Sequence, residues 1–169
     1  MDEKTMPKAP GPVGVIGLGK MGSAMATNLV RAGFTVIGTD LVGAFRQTLT
    51  NGGGTAVSDA REVGQRCRHI ILSLPSVTAL QAVTADLAAS CRQGTIIMET
   101  GTLPLVEKQE AHDLLAEHGV ILLDTPLSGT GAQAKDRDLV VFASGDTEAI
   151  RQFVPIMEGI ARAHYDLGA

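Results

Sequence analysis

Val13-Gly14-Val15-Ile16-Gly17-Leu18-Gly19-Lys20-Met21-Gly22 is the stretch that decides the fold. Its first four residues form a short apolar run ending in glycine, the pattern of a buried parallel strand that feeds a tight turn. After the turn, Met21, Ala24, Met25, Asn28 and Leu29 recur at helical intervals across Lys20 to Ala32, and Gly33 supplies a stop. Strand, glycine turn and helix make one βα unit.

The same alternation continues outward. Phe34 to Asp40 reads as a second strand ending on a carboxylate. A weaker helix from Val42 to Leu49 follows, and then a brief strand at Thr55 to Val57. Ser58-Asp59 caps a further helix. His69 to Leu74 is an apolar strand closed by Pro75, Val77 to Ala89 a helix, and Thr95 to Glu99 a strand. A helix opening at Pro104 runs to His118, and Val120 to Leu123 is the strand after it. Regular alternation with short connections predicts an α/β fold: a doubly wound parallel sheet, Rossmann-like, with helices on both faces. Beyond Asp124 the pattern changes. Thr125 to Arg137 reads as a polar loop, Leu139 to Ala143 as a strand, Asp146 to Ile160 as a helix and Ala163 to Asp166 as a last short strand.

Composition narrows the function classes. The 169 residues suffice for one substantial core, so residues 13–169 read as a single domain behind a charged, Pro-rich tail at 1–12. Fourteen basic against 18 acidic residues leave a net charge of −4 and no basic stripe, which argues against nucleic acid as a partner. No apolar run is long enough to cross a bilayer, so no membrane partner is expected. Cys67 and Cys91 stand apart with no CxxC pair, and they read as buried, reduced thiols in a cytoplasmic protein. His69, His112, His118 and His164 lack metal-ligand spacing and read as surface or helix-end residues; no metal site is expected.

The turn Gly17-Leu18-Gly19-Lys20-Met21-Gly22 matches the dinucleotide fingerprint in its proper context, between a strand and a helix. Gly17 makes the turn, Gly19 lets the backbone approach a pyrophosphate, and Gly22 allows the helix to pack on the sheet. The phosphates would meet free N–H groups and the positive end of the helix dipole. Asp40, at the end of the second strand, can accept hydrogen bonds from both adenosine ribose hydroxyls and would repel a 2′-phosphate. Leu41 offers no positive charge, so the cofactor reads as NAD; NADP is less favoured, with Arg46 the residue that keeps it open.

The longer string from Gly17 to Gly33 resembles the opening of the 3-hydroxyisobutyrate dehydrogenase family. These β-hydroxyacid dehydrogenases are related to 6-phosphogluconate dehydrogenase. Leu72-Ser73-Leu74-Pro75 resembles the family's cofactor-side loop, Glu99-Thr100-Gly101-Thr102 its Asp-x-Ser-Thr strand end, and Asp124-Thr125-Pro126-Leu127-Ser128-Gly129 its substrate loop. The resemblance implies that Leu74, Pro75, Thr102 and, as a looser match, Thr78 contact the cofactor. It likewise implies that Ser128, Gly129 and Thr130 hold the carboxylate of a small hydroxy acid. Thr130, Gln133 and Arg137 depart from the family's glycines, and Gly101 stands where it has Ser. The resemblance also puts the catalytic lysine on a following helical domain, beyond Ala169, so no catalytic residue is assigned. Lys108 and Lys135 lie elsewhere. The expectation is therefore an NAD(P)-dependent oxidoreductase of the β-hydroxyacid type whose helical domain is absent from this chain, which binds cofactor better than it turns over. A stand-alone dinucleotide-binding or sensing module is the alternative. A face stripped of its second domain would favour self-association, hence a homo-oligomer.

Overall fold

The computed structural model describes residues 11–169; most of the 1–12 tail lies outside them. Six strands form one parallel sheet: β1 (Val13–Ile16), β2 (Val36–Thr39), β3 (Thr55–Ala56), β4 (His69–Leu72), β5 (Ile96–Glu99) and β6 (Ile121–Asp124). Their order is β3-β2-β1-β4-β5-β6, with every pair parallel. The chain therefore reverses its winding direction between β1 and β4, and the crevice outside the carboxyl ends of these two strands is where ligands bind such sheets.

Alternate residues of each strand face opposite sides, and both sides are covered. Val13, Val15, Ile71 and Met98 pack with α1 (Lys20–Arg31) and, as the C-terminal helix, Thr147–Ile160; Ile70, Leu72 and Ile97 pack with the helices on the other face. Those opposite helices are α3 (Ala60–Arg66), α4 (Val77–Ser90) and α5 (Leu105–Ala116), while α2 (Gly43–Asn51) lies against α1. Complete burial of Leu29, Ile70, Leu72 and Ile97 contributes about 1.5–3 kcal/mol per side chain before entropy is counted.

The region after Asp124 corrects the sequence reading. Thr125 to Arg137 is not a featureless loop: it holds β7 (Leu127–Ser128) and a short helix α6 (Gly131–Lys135). Thr130 and Gln133 form a capping box on α6, each bonding the other's backbone. β7 pairs antiparallel with β8 (Val140–Ala143), and β8 pairs parallel with β9 (Ala163–Asp166), in a second sheet. An isolated bridge between Asp124 and Ser144 joins it to the end of β6. The C-terminal helix, α7 (Thr147–Ile160), runs through Pro155 because Ile150, Phe153, Ile156, Met157 and Ile160 are buried along one stripe.

A second correction concerns His69. It is buried at the start of β4, edge-on to Phe153 with ring centroids 5.4 Å apart, rather than at the surface or a helix end. Among the described residues its Nε2 has no hydrogen-bond partner. His112 and His118 are exposed, as read from sequence. Cys67 is buried, Cys91 is half-buried, and both are free thiols. Among the described residues, no helix is long and apolar enough to cross a membrane.

Candidate cofactor and substrate crevice

Four strand ends meet at the crevice. Gly17 follows β1, Ser73 and Leu74 follow β4, Thr100 to Thr102 follow β5, and Thr125 to Ser128 follow β6. Gly17 has φ +90°, and a Cβ there would lie 2.1 Å from the Ser73 carbonyl oxygen. A Cβ on Gly22 would lie 1.8 Å from the Gly17 carbonyl oxygen, so α1 starts in contact with the turn that launches it. Gly19 differs: a Cβ there would meet nothing within 4 Å. The space beside it is open.

That opening sits at the N-terminus of α1, where Gly19 is the N-cap and no side chain caps the helix. Helices α3, α4, α6 and α7 carry side-chain caps, from Asp59, Ser76, Thr130 and Asp146, whereas α2 and α5, like α1, carry none. An uncapped first turn facing open space fits the pyrophosphate of a dinucleotide, whose oxygens would take the place of the missing cap. Leu18 is buried beneath the turn, Lys20 is exposed at its edge, and Met21 is partly buried against the core.

Asp40 stands immediately after β2, beside this turn. Its Oδ2 accepts a hydrogen bond from the Leu18 N–H at 2.7 Å, and its Oδ1 accepts one from the Val42 N–H at 2.8 Å. Both oxygens keep a further lone pair, so the carboxylate is fixed in place and still able to accept from hydroxyls. Arg46 donates to the carbonyl oxygens of Asp40 and Leu41. Leu41 is fully exposed.

On the other side of the switch point, Leu74 is half-buried, and Pro75 and Thr78 are exposed at the entrance to α4. Thr100 donates through both N–H and hydroxyl to the Leu72 carbonyl oxygen, at 3.1 and 2.7 Å. This pins the loop after β5 to the end of β4, and Thr102 lies exposed two residues on. Ser128, Gly129 and Thr130 are exposed as well. They are brought to the glycine turn by α6, which docks on α1: the Asn28 Nδ2 donates to the Ala134 carbonyl oxygen at 2.7 Å, and a Cβ on Gly131 would lie 3.7 Å from that of Lys20. Lys135 and Arg137 fall instead beside Arg31 and Ala32, at the far end of α1 from the turn.

Sequence reasoning assigned no role to Lys108, Glu99 or Asp124 as a group. Lys108 Nζ lies 2.5 Å from Asp124 Oδ1, 2.5 Å from the Gly101 carbonyl oxygen and 2.9 Å from Glu99 Oε2. Burial alone would lower the lysine's pKa, but pairing with the Asp124 and Glu99 carboxylates outweighs it and holds the ammonium above its ordinary value. A lysine on a surface helix is ordinarily solvated, and only the tertiary fold reveals this one as buried.

Comparisons with known proteins bear on the family and the fold. Residues 12–168 match the family described as the NAD binding domain of 6-phosphogluconate dehydrogenase. The chain belongs to that family. It is an NAD-binding domain, with the fold and resemblance that the sequence implied. L-threonate dehydrogenase of Cupriavidus necator is 32% identical over 160 residues, covering 93% of this chain and 54% of that protein. NAD-dependent L-serine dehydrogenase of Pseudomonas aeruginosa is also 32% identical, over 92% of this chain and 53% of that protein. Among solved structures, 3-hydroxyisobutyrate dehydrogenase of Mycobacterium tuberculosis with L-serine superposes with a TM-score of 0.90 at 28% identity, covering 94% of this chain and 55% of that one. The NAD-binding domain thus spans about half the length of these relatives.

Proposed function

We propose that this NAD-binding domain is the cofactor-holding half of an oxidoreductase that passes hydride between NAD and a small β-hydroxy acid or its semialdehyde. The observation that carries the reading is the open, uncapped N-terminus of α1 at Gly19, with Asp40 fixed beside it by Leu18. Gly17, Leu18, Gly19, Lys20, Met21 and Gly22 would line the pyrophosphate, and Asp40 the adenosine ribose. Leu74, Pro75, Thr78 and Thr102 would form the nicotinamide side. Ser128, Gly129 and Thr130 would hold the substrate carboxylate through a hydroxyl, an unhindered N–H and a second hydroxyl. Dehydrogenases of L-threonate and L-serine, both hydroxy acids, are the relatives that support this substrate class.

When bound, the nicotinamide supplies the hydride acceptor or donor; the protein orients it and moves the proton. Lys108 is unsuited to that proton transfer, since its ammonium is held by two carboxylates above its ordinary pKa. The proton donor would come from a segment equivalent to the second half of the relatives. NAD is the preferred cofactor, with NADP weaker because Asp40 would face the 2′-phosphate. Two free thiols suit a cytoplasmic setting. Self-association into a homo-oligomer is part of the same reading.

Fluorescence titration with NADH and with NADPH tests it. NADH is expected to bind the 169-residue chain more tightly than NADPH, and Asp40→Ser to narrow that preference by about tenfold. Absence of binding by either nucleotide at millimolar concentration would overturn the reading, and an unchanged preference in the variant would remove Asp40 from it.

A further inference from the structure

Lys108 is the fourth residue of α5, and a helical lysine ordinarily points to water. Here it is 8% exposed. Burying an ammonium is costly unless it is paired, and three oxygens surround Nζ: it donates hydrogen bonds to those of Gly101 and Asp124 and is ion-paired at 2.9 Å with Glu99 Oε2. They come from three different places: Glu99 ends β5, Gly101 lies in the loop after β5, and Asp124 ends β6.

Glu99 is 1% exposed and extends the grip. Its Oε1 accepts from the Gly101 N–H at 2.7 Å, while Lys108 donates to the Gly101 carbonyl oxygen. The Gly101 backbone is therefore clamped through its N–H and its C=O by the two members of one ion pair. Thr102 is the next residue. On the other side, Asp124 opens the segment that leads to Ser128, and the Thr125 N–H and hydroxyl both donate to the Glu99 carbonyl oxygen, at 2.9 and 2.8 Å.

We propose that Lys108 is a positioning residue that ties the loop carrying Thr102 to the loop carrying Ser128, so that the nicotinamide-side and substrate-side walls of the crevice are held as one unit. The proposal rests on the cofactor reading above. A purely structural lysine would support the domain as a whole and affect every ligand alike. A positioning lysine acts on the nicotinamide end alone, because the adenosine end is built by the glycine turn and Asp40 on the far side of the switch point.

ADP-ribose, which lacks the nicotinamide, separates the two. Lys108→Met in the 169-residue chain is expected to weaken NADH by about tenfold and ADP-ribose by less than about twofold, both measured by calorimetry. Lys108→Arg, which keeps the charge and the donors, is expected to restore NADH to within about threefold of wild type. Should Lys108→Met fail to fold, Asp124→Asn serves: its side chain is half-exposed, and NADH alone is expected to weaken by about threefold. Unchanged NADH affinity in the variant that folds, or equal loss of both ligands, would overturn the role of Lys108. A wild-type chain that binds neither ligand would overturn the cofactor reading, and this proposal with it.

Discussion

Gly19 and Gly22 are interchangeable letters in a fingerprint, but they do opposite things in the fold. A methyl at Gly22 would collide with the Gly17 carbonyl oxygen, which is backbone and cannot yield. A methyl at Gly19 would project into open space, at φ −67°, which alanine adopts freely. Gly22→Ala is therefore expected to destabilise the domain by roughly 3 kcal/mol. Gly19→Ala should leave the urea midpoint unchanged while weakening NADH by about tenfold or more. A Gly19→Ala chain that binds NADH normally would show that no phosphate lies where the cradle is open. The turn at Gly17 and the close packing at Gly22 were legible in the sequence because a strand before the turn and a helix after it leave few conformations for these glycines. Lys108 was not legible, since its partners Glu99 and Asp124 lie nine residues before it and sixteen after, on strands whose adjacency only the sheet order establishes.

At the level of elements, the strands of the parallel sheet other than the two-residue β3 were readable because both faces are buried, which makes them largely runs of apolar residues. The ends were less so: the strand read from Phe34 begins at Val36, and the helix read from Val42 begins at Gly43 and extends to Asn51. The α6 and β7 segment was missed because it is short and polar, and docking on α1 and β8 stabilises it more than its own propensity does. A signal was present in Thr130-Gly131-Ala132-Gln133, a capping-box sequence. The helix α7 taught the reverse lesson, since Pro155 removes a backbone donor yet burial of the apolar stripe keeps the helix whole. Docking of α6 depends on the buried Asn28 amide. Asn28→Ala leaves the Ala134 carbonyl oxygen unpaired and is expected to cost roughly 2 kcal/mol in urea unfolding. It should also speed amide hydrogen exchange across Gly131–Lys135 more than across the parallel sheet. Uniform acceleration would mean that α6 is not held separately by this contact.

Across the whole molecule, the two ends of the sheet carry opposite electrostatic designs. At the carboxyl end a lysine is buried charged among carboxylates; at the amino end His69 is buried neutral, its Nε2 unpartnered. Burial, with Arg68 adding to it, lowers the His69 pKa below 6.5. Above pH 6.5 both folded and unfolded chains hold the imidazole neutral, and it adds no pH dependence. As pH falls through 6.5 the unfolded chain takes up a proton that the folded chain refuses, so stability falls, by at most about 1.4 kcal/mol per pH unit from this residue. The loss continues until the folded pKa is reached. Lys108 works in the other direction: its raised pKa contributes stability that is fully present below pH 10.5 and lost as pH rises through the folded value. His69→Leu removes both the titrating group and the orphaned nitrogen while keeping an apolar side chain against Phe153. Urea unfolding of wild type and His69→Leu at steps from pH 8 to pH 5 is expected to give curves that run parallel above about pH 7 and diverge below it, with the variant losing less. Curves that stay parallel down to pH 5 would show that the imidazole is protonated as readily in the folded chain as in the unfolded one, and that the amino end of the sheet is open to water.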